Sequence, residues 1–520
     1  MPEDTFRRIT VFDTTLRDGD QSAGFAFSQK AKLTLARMLA AAGVDIIETG
    51  FPLSSKSEFN MCRATALELK DFNQNPGGKT TTSVLSRALP HEIVQTAKVF
   101  EGGLSGTIHI SLPVSRGHIS AKLTKTESEV LTMAVESASL AAGFMPNVQL
   151  GAEDAPRADR SFLLEYCSAA IEAGATVVNL SDTAGAACPE SIAELAGFLI
   201  KNIPAFSAGK AVLSAHCHND LGLACANTLA ALRAGCGQAE VSVSGIGERA
   251  GNAALEEVFA NLEEHSHIYK ARTGLVLKEI SSLIATASAL SGTAFSLMKP
   301  LSGWNIRAHA SGIHQQSMAR DPRTYCLSAV ENINAVPERI VLSRHSGKAG
   351  IKLFAARYLD IKLMDDTALK ISTHIKENSL VVTGITEFIL ILHDMNILPP
   401  SFPHPFTVET FSEKNSENAD GQNCIIEAEL KTADGRTLKV HAEAPGMKEA
   451  VLQALETLGE NPLNIKNIFF AGRGATVRLY AEIEAINGHD YPIERAGLSS
   501  ARTLFESCLD VINAEKIRKN

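Results

Sequence analysis

From residue 10 to about residue 250 the chain alternates short, almost wholly apolar runs with longer stretches in which apolar residues recur every three or four positions. Runs of the first kind suit strands buried on both faces, the longer stretches suit helices with one buried stripe, and their alternation builds parallel βα units. Eight strands are predicted, at 10–18, 44–51, 80–86, 106–113, 147–154, 176–183, 211–220 and 238–247. Several intervening helices stop at a glycine just before the next strand, at Gly43, Gly174 and Gly235, where a left-handed C-cap fits. Eight such units suit a closed (β/α)8 TIM barrel, a fold of about 250 residues, and the barrel is assigned to residues 1–270.

After the barrel, the periodicity stays helical but is interrupted, which predicts helical subdomains over 271–400. The polar, proline-containing stretch that follows has no period and reads as a linker over 401–423. Residues 424–520 then repeat a strand, turn, strand, glycine, helix pattern. The turns, Asp434-Gly435 and Asn487-Gly488, stand 53 positions apart and are strong hairpin signals. A C-terminal α+β domain with pseudo-symmetry is predicted.

Composition narrows the function classes. The chain is 45% hydrophobic and 21% charged, and no apolar run approaches the roughly 18 residues of a membrane helix. Its start, MPEDTFRRITVFDTTLRDG, carries charges where a secretory signal would be apolar, so a cytoplasmic location is expected. A net charge of −9 without long basic stretches offers no platform for nucleic acid. Nine scattered cysteines without CxxC spacing indicate reduced thiols.

Barrel enzymes build their sites where strands end. The predicted strand ends carry Arg17 and Asp18, Glu48, His109 and Ser111, Glu153 and Asp154, Thr183, and His216 and His218, with Asn252 just beyond the eighth. On a strand, residues two apart share a face at roughly 6.6 Å, so His216 and His218 can converge on one ion while Cys217 points away. A lone His-x-His pair is equally readily two hydrogen-bonded histidines. Asp18 and Asn252 add a carboxylate and an amide oxygen, a donor set of mixed hardness that suits Mg²⁺ or Mn²⁺, with Zn²⁺ as an alternative. Arg17 either offers donors to a developing negative oxygen or forms a structural ion pair with Asp13, Asp20 or Glu48.

The segments FDTTLRDGDQSAG, ETGFP, GAEDAPRAD, SDTAG, SAHCHNDLGLACANTLAAL and SGIGERAGNAALEEV resemble the 2-isopropylmalate synthase and homocitrate synthase family. The resemblance continues through SGIHQ and RHSGKAG, more weakly into the C-terminal repeat. It implies a Claisen-type condensation of acetyl-CoA with a 2-oxoacid. Asp18, His216, His218 and Asn252 would hold the divalent cation, and Arg17 would stabilise the enolate. Glu153 and Thr183 would contact the 2-oxoacid, and His109, Ser111 and Glu48 are expected to bind it with them. His314 and Tyr325 would assist loss of the acetyl-CoA methyl proton, often from the partner subunit of a homodimer. For His309 and His345 packing is as good a reading as catalysis.

Two features divide the family. Isopropylmalate synthases commonly carry an aromatic residue where Ser111 stands, and TIHISLPVS is similar to homocitrate synthases. The C-terminal repeat instead resembles the leucine-sensing domain of isopropylmalate synthases, which makes leucine the expected effector. The expected activity is 2-isopropylmalate synthesis from 2-oxoisovalerate. Homocitrate or citramalate synthesis is the runner-up, ahead of a metal-dependent lyase on the same barrel or a silent amino-acid sensor.

Overall fold

The structure, a computed structural model, describes residues 6–25, 27–74, 79–291, 295–296, 298–333, 339–382, 384–399, 406–418, 421–431, 436–458, 463–471, 477–485, 487–497 and 499–518. The chain forms two compact units, Met1–Gly292 and Thr293–Asn520.

The first unit is a closed barrel of eight parallel strands, β1 (Thr10–Asp13), β2 (Ile46–Glu48), β3 (Thr81–Arg87), β4 (Gly106–Pro113), β5 (Asn147–Glu153), β6 (Val177–Asp182), β7 (Val212–Cys217) and β8 (Gln238–Val241). The ladder closes by pairing β1 with β8, from Thr10 opposite Gln238 to Asp13 opposite Val241. β4 is buried along nearly its whole length, as a barrel strand covered by helices outside and side chains inside must be. The helix-ending glycines predicted from sequence take positive φ, +85° at Gly43 and +124° at Gly235.

Several strands are shorter than predicted, β2 being confined to Ile46–Glu48. β1 stops at Asp13, and Thr14 turns the chain by accepting from the backbone N–H groups of Arg17 and Gly19, both at 3.1 Å. β8 stops at Val241, and 243–245 is a tight turn. β7 stops at Cys217, leaving His218 in an isolated antiparallel bridge with Asn252. Polar rim residues break the parallel ladder, so Asp18, His218 and Asn252 sit just beyond the strands, while His216 stays on β7.

The second unit begins with helices, among them Gly312–Arg320, Lys348–Phe354, Asp365–Glu377 and Ile385–Asp394. It continues with two successive three-stranded antiparallel sheets, each followed by a helix. The first comprises β9 (Thr407–Asn418), β10 (Gly421–Lys431) and β11 (Thr437–Ala444), then helix Met447–Glu456. The second comprises β12 (Asn464–Ala471), β13 (Val477–Glu484) and β14 (Asp490–Gly497), then helix Ser500–Arg518. Each repeat therefore has three strands where the sequence pattern predicts two.

The extra strand of the first copy, β9, occupies 407–418, inside the stretch expected to be an aperiodic linker. Its polar residues pair with β10 through eleven aligned positions, so backbone hydrogen bonding supplies the regularity that apolar periodicity does not signal. The Asp434-Gly435 turn lies outside the described residues. At the second turn Gly488 has φ +80° and donates to the Ala485 carbonyl at 2.9 Å. Among the described residues no helix is long and apolar enough to cross a membrane.

One hydrophobic cluster runs through Phe354, Phe388, Ile389 and Leu392 of the helical segment into Ile426, Leu479, Ile483 and Phe505 of the repeats. The C-terminal helix is also tied to the Ile385–Asp394 helix through polar side chains. Asn513 Nδ2 donates to Thr386 Oγ1 at 3.1 Å, and Asp510 accepts from the Thr386 N–H at 3.3 Å. Phe505 is fully buried with its ring 5.7 Å from that of Phe411. Phe505→Ala is expected to destabilise the second unit by about 3–5 kcal/mol. Urea unfolding followed by the single tryptophan, Trp304, checks this; a loss below about 1 kcal/mol would mean that the helix is not held by this cluster.

Candidate active site

The turn after β1 carries Arg17 and Asp18, and barrel closure sets it against the loop after β8. Asp18 Oδ1 accepts from the Glu248 backbone N–H at 3.0 Å and from Asn252 Nδ2 at 3.1 Å. Asn252 Nδ2 also donates to the Ile246 carbonyl at 3.0 Å. With its amide donors committed, the Asn252 carbonyl oxygen is left buried without a protein partner among the described residues. Gly247 permits this packing: a Cβ there would lie 2.2 Å from Asn252 Nδ2 and 2.7 Å from Asp18 Oδ1.

His216 and His218 face the same point. Their Nε2 atoms are 3.2 Å apart, and with Asp18 they form a buried group whose ligand atoms all lie within 4.8 Å of one another. A buried unpartnered amide oxygen, two convergent imidazole nitrogens and a carboxylate fit a divalent cation of the Mg²⁺, Mn²⁺ or Zn²⁺ type. Burial of the His218 ring, reinforced by neighbouring His216, pushes its pKa down to about 4, which keeps it neutral as a ligand must be.

Charge around this group is ordered. Arg17 donates from Nη1 to Asp18 at 2.5 Å and from Nε to Glu48 at 2.7 Å. Burial works against ionisation of Asp18, but Arg17 and the two imidazoles outweigh it and hold its carboxyl well below the usual range. Burial likewise opposes the Glu48 charge, and Arg17 and His109 overcome it, bringing its pKa to about 2. Glu48 is fully buried, accepting from Thr14 Oγ1 at 2.7 Å and lying 2.7 Å from His109 Nδ1. It is placed to orient Arg17 and His109.

Across the barrel mouth, Ser111 Oγ lies 3.5 Å from Glu153 Oε2. Glu153 is engaged by His118 Nδ1 at 2.8 Å and by Lys122 Nζ. The Thr183 hydroxyl accepts from the Asp154 N–H at 3.0 Å, and its carbonyl accepts from Arg249 at 2.6 Å.

In the second unit, His314 and Tyr325 stack with ring centroids 4.4 Å apart, and the His309 ring lies 5.5 Å from that of Tyr325. Both His314 and Tyr325 are exposed. His345 instead accepts from Arg344 Nε at 3.3 Å.

Sequence reasoning passed over His118 and Lys122, in two short helical turns after β4, and Arg249, in the loop after β8, segments too short to show a period. It also passed over Glu240. There a signal existed: in QAEVSV a carboxylate occupies an inward position of β8, aligned with His216 of β7.

Comparison with known proteins gives a consistent pattern. Residues 8–286 match the HMGL-like family and residues 301–381 match the homocitrate synthase post-HMGL domain-like family. The chain is 34% identical to a 2-isopropylmalate synthase of a Geobacillus species over 96% of this chain and 94% of that one. It is 33% identical to a 2-isopropylmalate synthase of Lysinibacillus sphaericus over 99% of both chains. Similarity to the 2-isopropylmalate synthase of Solidesulfovibrio magneticus is higher, 40%, over 71% of this chain and 70% of that one.

Beneath the site, fully buried Asp13 accepts from the Thr15 N–H at 2.9 Å and from its hydroxyl at 3.0 Å. Burial, aided by the nearby Glu256 and Glu48 charges, pushes its carboxyl up to about 7. The folded state thus binds this proton more tightly than the unfolded chain does. Its stabilising contribution is present at low pH and lost as pH rises from about 4 to about 7, by roughly 4 kcal/mol at most. Asp13→Asn is expected to remove that loss, so the variant gains on the wild type in urea unfolding as pH rises through this window. A stability difference independent of pH would show that Asp13 is ionised in the fold.

Proposed function

The chain belongs to the HMGL-like family and, within it, to the 2-isopropylmalate synthases, and on that premise we propose that it condenses acetyl-CoA and water with 2-oxoisovalerate, giving 2-isopropylmalate and CoA. It is then an acyltransferase of leucine biosynthesis. The observation that carries this reading is likeness along the whole length: the Lysinibacillus synthase is matched over 99% of both chains, including the C-terminal repeats.

Asp18, His216, His218 and Asn252 would hold a divalent cation, which would supply Lewis-acid polarisation to the ketone of the 2-oxoacid. Arg17, fixed between Asp18 and Glu48, directs positive charge toward the oxygen that becomes negative as acetyl-CoA loses its methyl proton. Removing that proton requires a base, because a thioester methyl is a weak acid. His314, stacked on Tyr325, is the candidate. Glu153, Thr183, His109 and Ser111 orient the 2-oxoacid. The active form is a homodimer, and leucine binding to the C-terminal repeats lowers the rate by favouring one of two global states.

One observation favours homocitrate synthesis as the second reading: Ser111 is small and polar, and the Lys122 ammonium and His118 imidazole gather at Glu153 beside it, donors that a second carboxylate could use. Thiol release with purified protein, Mn²⁺, acetyl-CoA and a panel of 2-oxoacids separates the readings. The expected result is fastest release with 2-oxoisovalerate. Preference for 2-oxoglutarate selects the second reading, and no release with any 2-oxoacid rejects both.

Two variants refine the assignment. His218→Ala is expected to abolish thiol release and weaken Mn²⁺ retention while the barrel stays folded; full activity with bound metal would remove the proposed ligand set. Ser111→Phe is expected to penalise 2-oxoglutarate against 2-oxoisovalerate by about 1–3 kcal/mol in kcat/KM, and an unchanged ratio would place Ser111 outside the pocket.

A further inference from the structure

Below the candidate ligands the barrel interior is polar where aliphatic side chains usually fill it. Glu240 of β8 is fully buried at its centre. Its Oε1 accepts from Gln149 Nε2 at 2.7 Å and from Ser214 Oγ at 3.0 Å, and its Oε2 accepts from Asn179 Nδ2 at 3.0 Å. Gln238 closes the cluster, donating to Gln149 Oε1 at 2.8 Å and to Ser214 Oγ at 3.1 Å. These donors come from β5, β6, β7 and β8, so four strands of the barrel fix the orientation of one carboxylate.

The upper side of that carboxylate faces His216: Glu240 Oε2 lies 3.4 Å from Nδ1, the ring nitrogen opposite the one that faces His218. Burying a carboxylate costs hydration that well-placed partners must offset. A carboxylate facing one imidazole nitrogen draws the ring proton there, sets the ring plane and makes the other nitrogen a better donor.

We propose that Glu240, held by Gln149, Ser214 and Asn179, is a positioning residue for the cation site, fixing His216 with its proton on Nδ1 and its Nε2 lone pair aimed at the shared ion. The inference rests on the metal reading of Asp18, His216, His218 and Asn252. Replacing Glu240 with glutamine keeps the shape but allows an amide N–H to face Nδ1, which favours the opposite tautomer.

The test is Mn²⁺ titration of the full-length, metal-stripped protein, with free Mn²⁺ followed by electron paramagnetic resonance and the thermal midpoint of the metal-free protein recorded alongside. Glu240→Gln is expected to raise the Mn²⁺ Kd by about 10- to 100-fold. Unchanged affinity, whatever happens to the midpoint, would reduce Glu240 to packing and overturn the proposal. A wild type that binds no Mn²⁺ would instead overturn the metal reading on which it rests. If the variant does not fold, ¹⁵N-histidine spectra of the wild type decide. A His216 proton on Nδ1 supports the proposal, and one on Nε2 overturns it.

Discussion

Closure of the barrel between its first and last strands is the constraint on which the site depends. Asp18 and Asn252 are 234 positions apart, and they meet at 3.1 Å because β1 pairs with β8 in one register. A slip of one residue would send every inward side chain of a strand outward. The same registers align His216 with Glu240 and Glu153 with Ser181. The backbone ladder thus sets the distances among side chains that carry the chemistry, and the loops beyond the strands only complete them.

Electrostatics then decides which groups stay charged. Arg17 is shared by Asp18 and Glu48 at close range, so two nearly inaccessible carboxylates keep their charge against the cost of burial. Asp13, at the end of β1, has hydrogen bonds from Thr15 but, among the described residues, no such cation, and burial wins. Three carboxylates on adjoining strands and turns therefore differ through their partners alone. An arrangement that keeps Asp18 anionic, His218 neutral and the Asn252 oxygen unpartnered is one prepared for a cation.

Much of this was legible in the sequence because it is written in short periods. Alternating apolar runs marked the eight strands, and polar residues at their ends marked the rim. The pair at 216 and 218 pointed to one face, and the structure brings it to Asp18. What escaped was whatever has no period. The exits at Asp13, Cys217 and Val241 depend on loop hydrogen bonds that no apolar pattern records. β9 is polar and owes its regularity to pairing with β10. Glu240 looked like one acid in a strand, and its setting became visible only once Gln149, Asn179 and Ser214 were brought from three other strands.

The central claim is that Asp18, His216, His218 and Asn252 converge on one divalent cation. A crystal of the full-length protein grown with Mn²⁺, with diffraction collected at the manganese absorption edge, tests it without recourse to activity. A single anomalous peak bounded by the two histidine Nε2 atoms, the Asp18 carboxylate and the Asn252 carbonyl oxygen is the predicted result. A fully loaded crystal with its peak elsewhere, or with the Asn252 oxygen turned away from the ion, would contradict it.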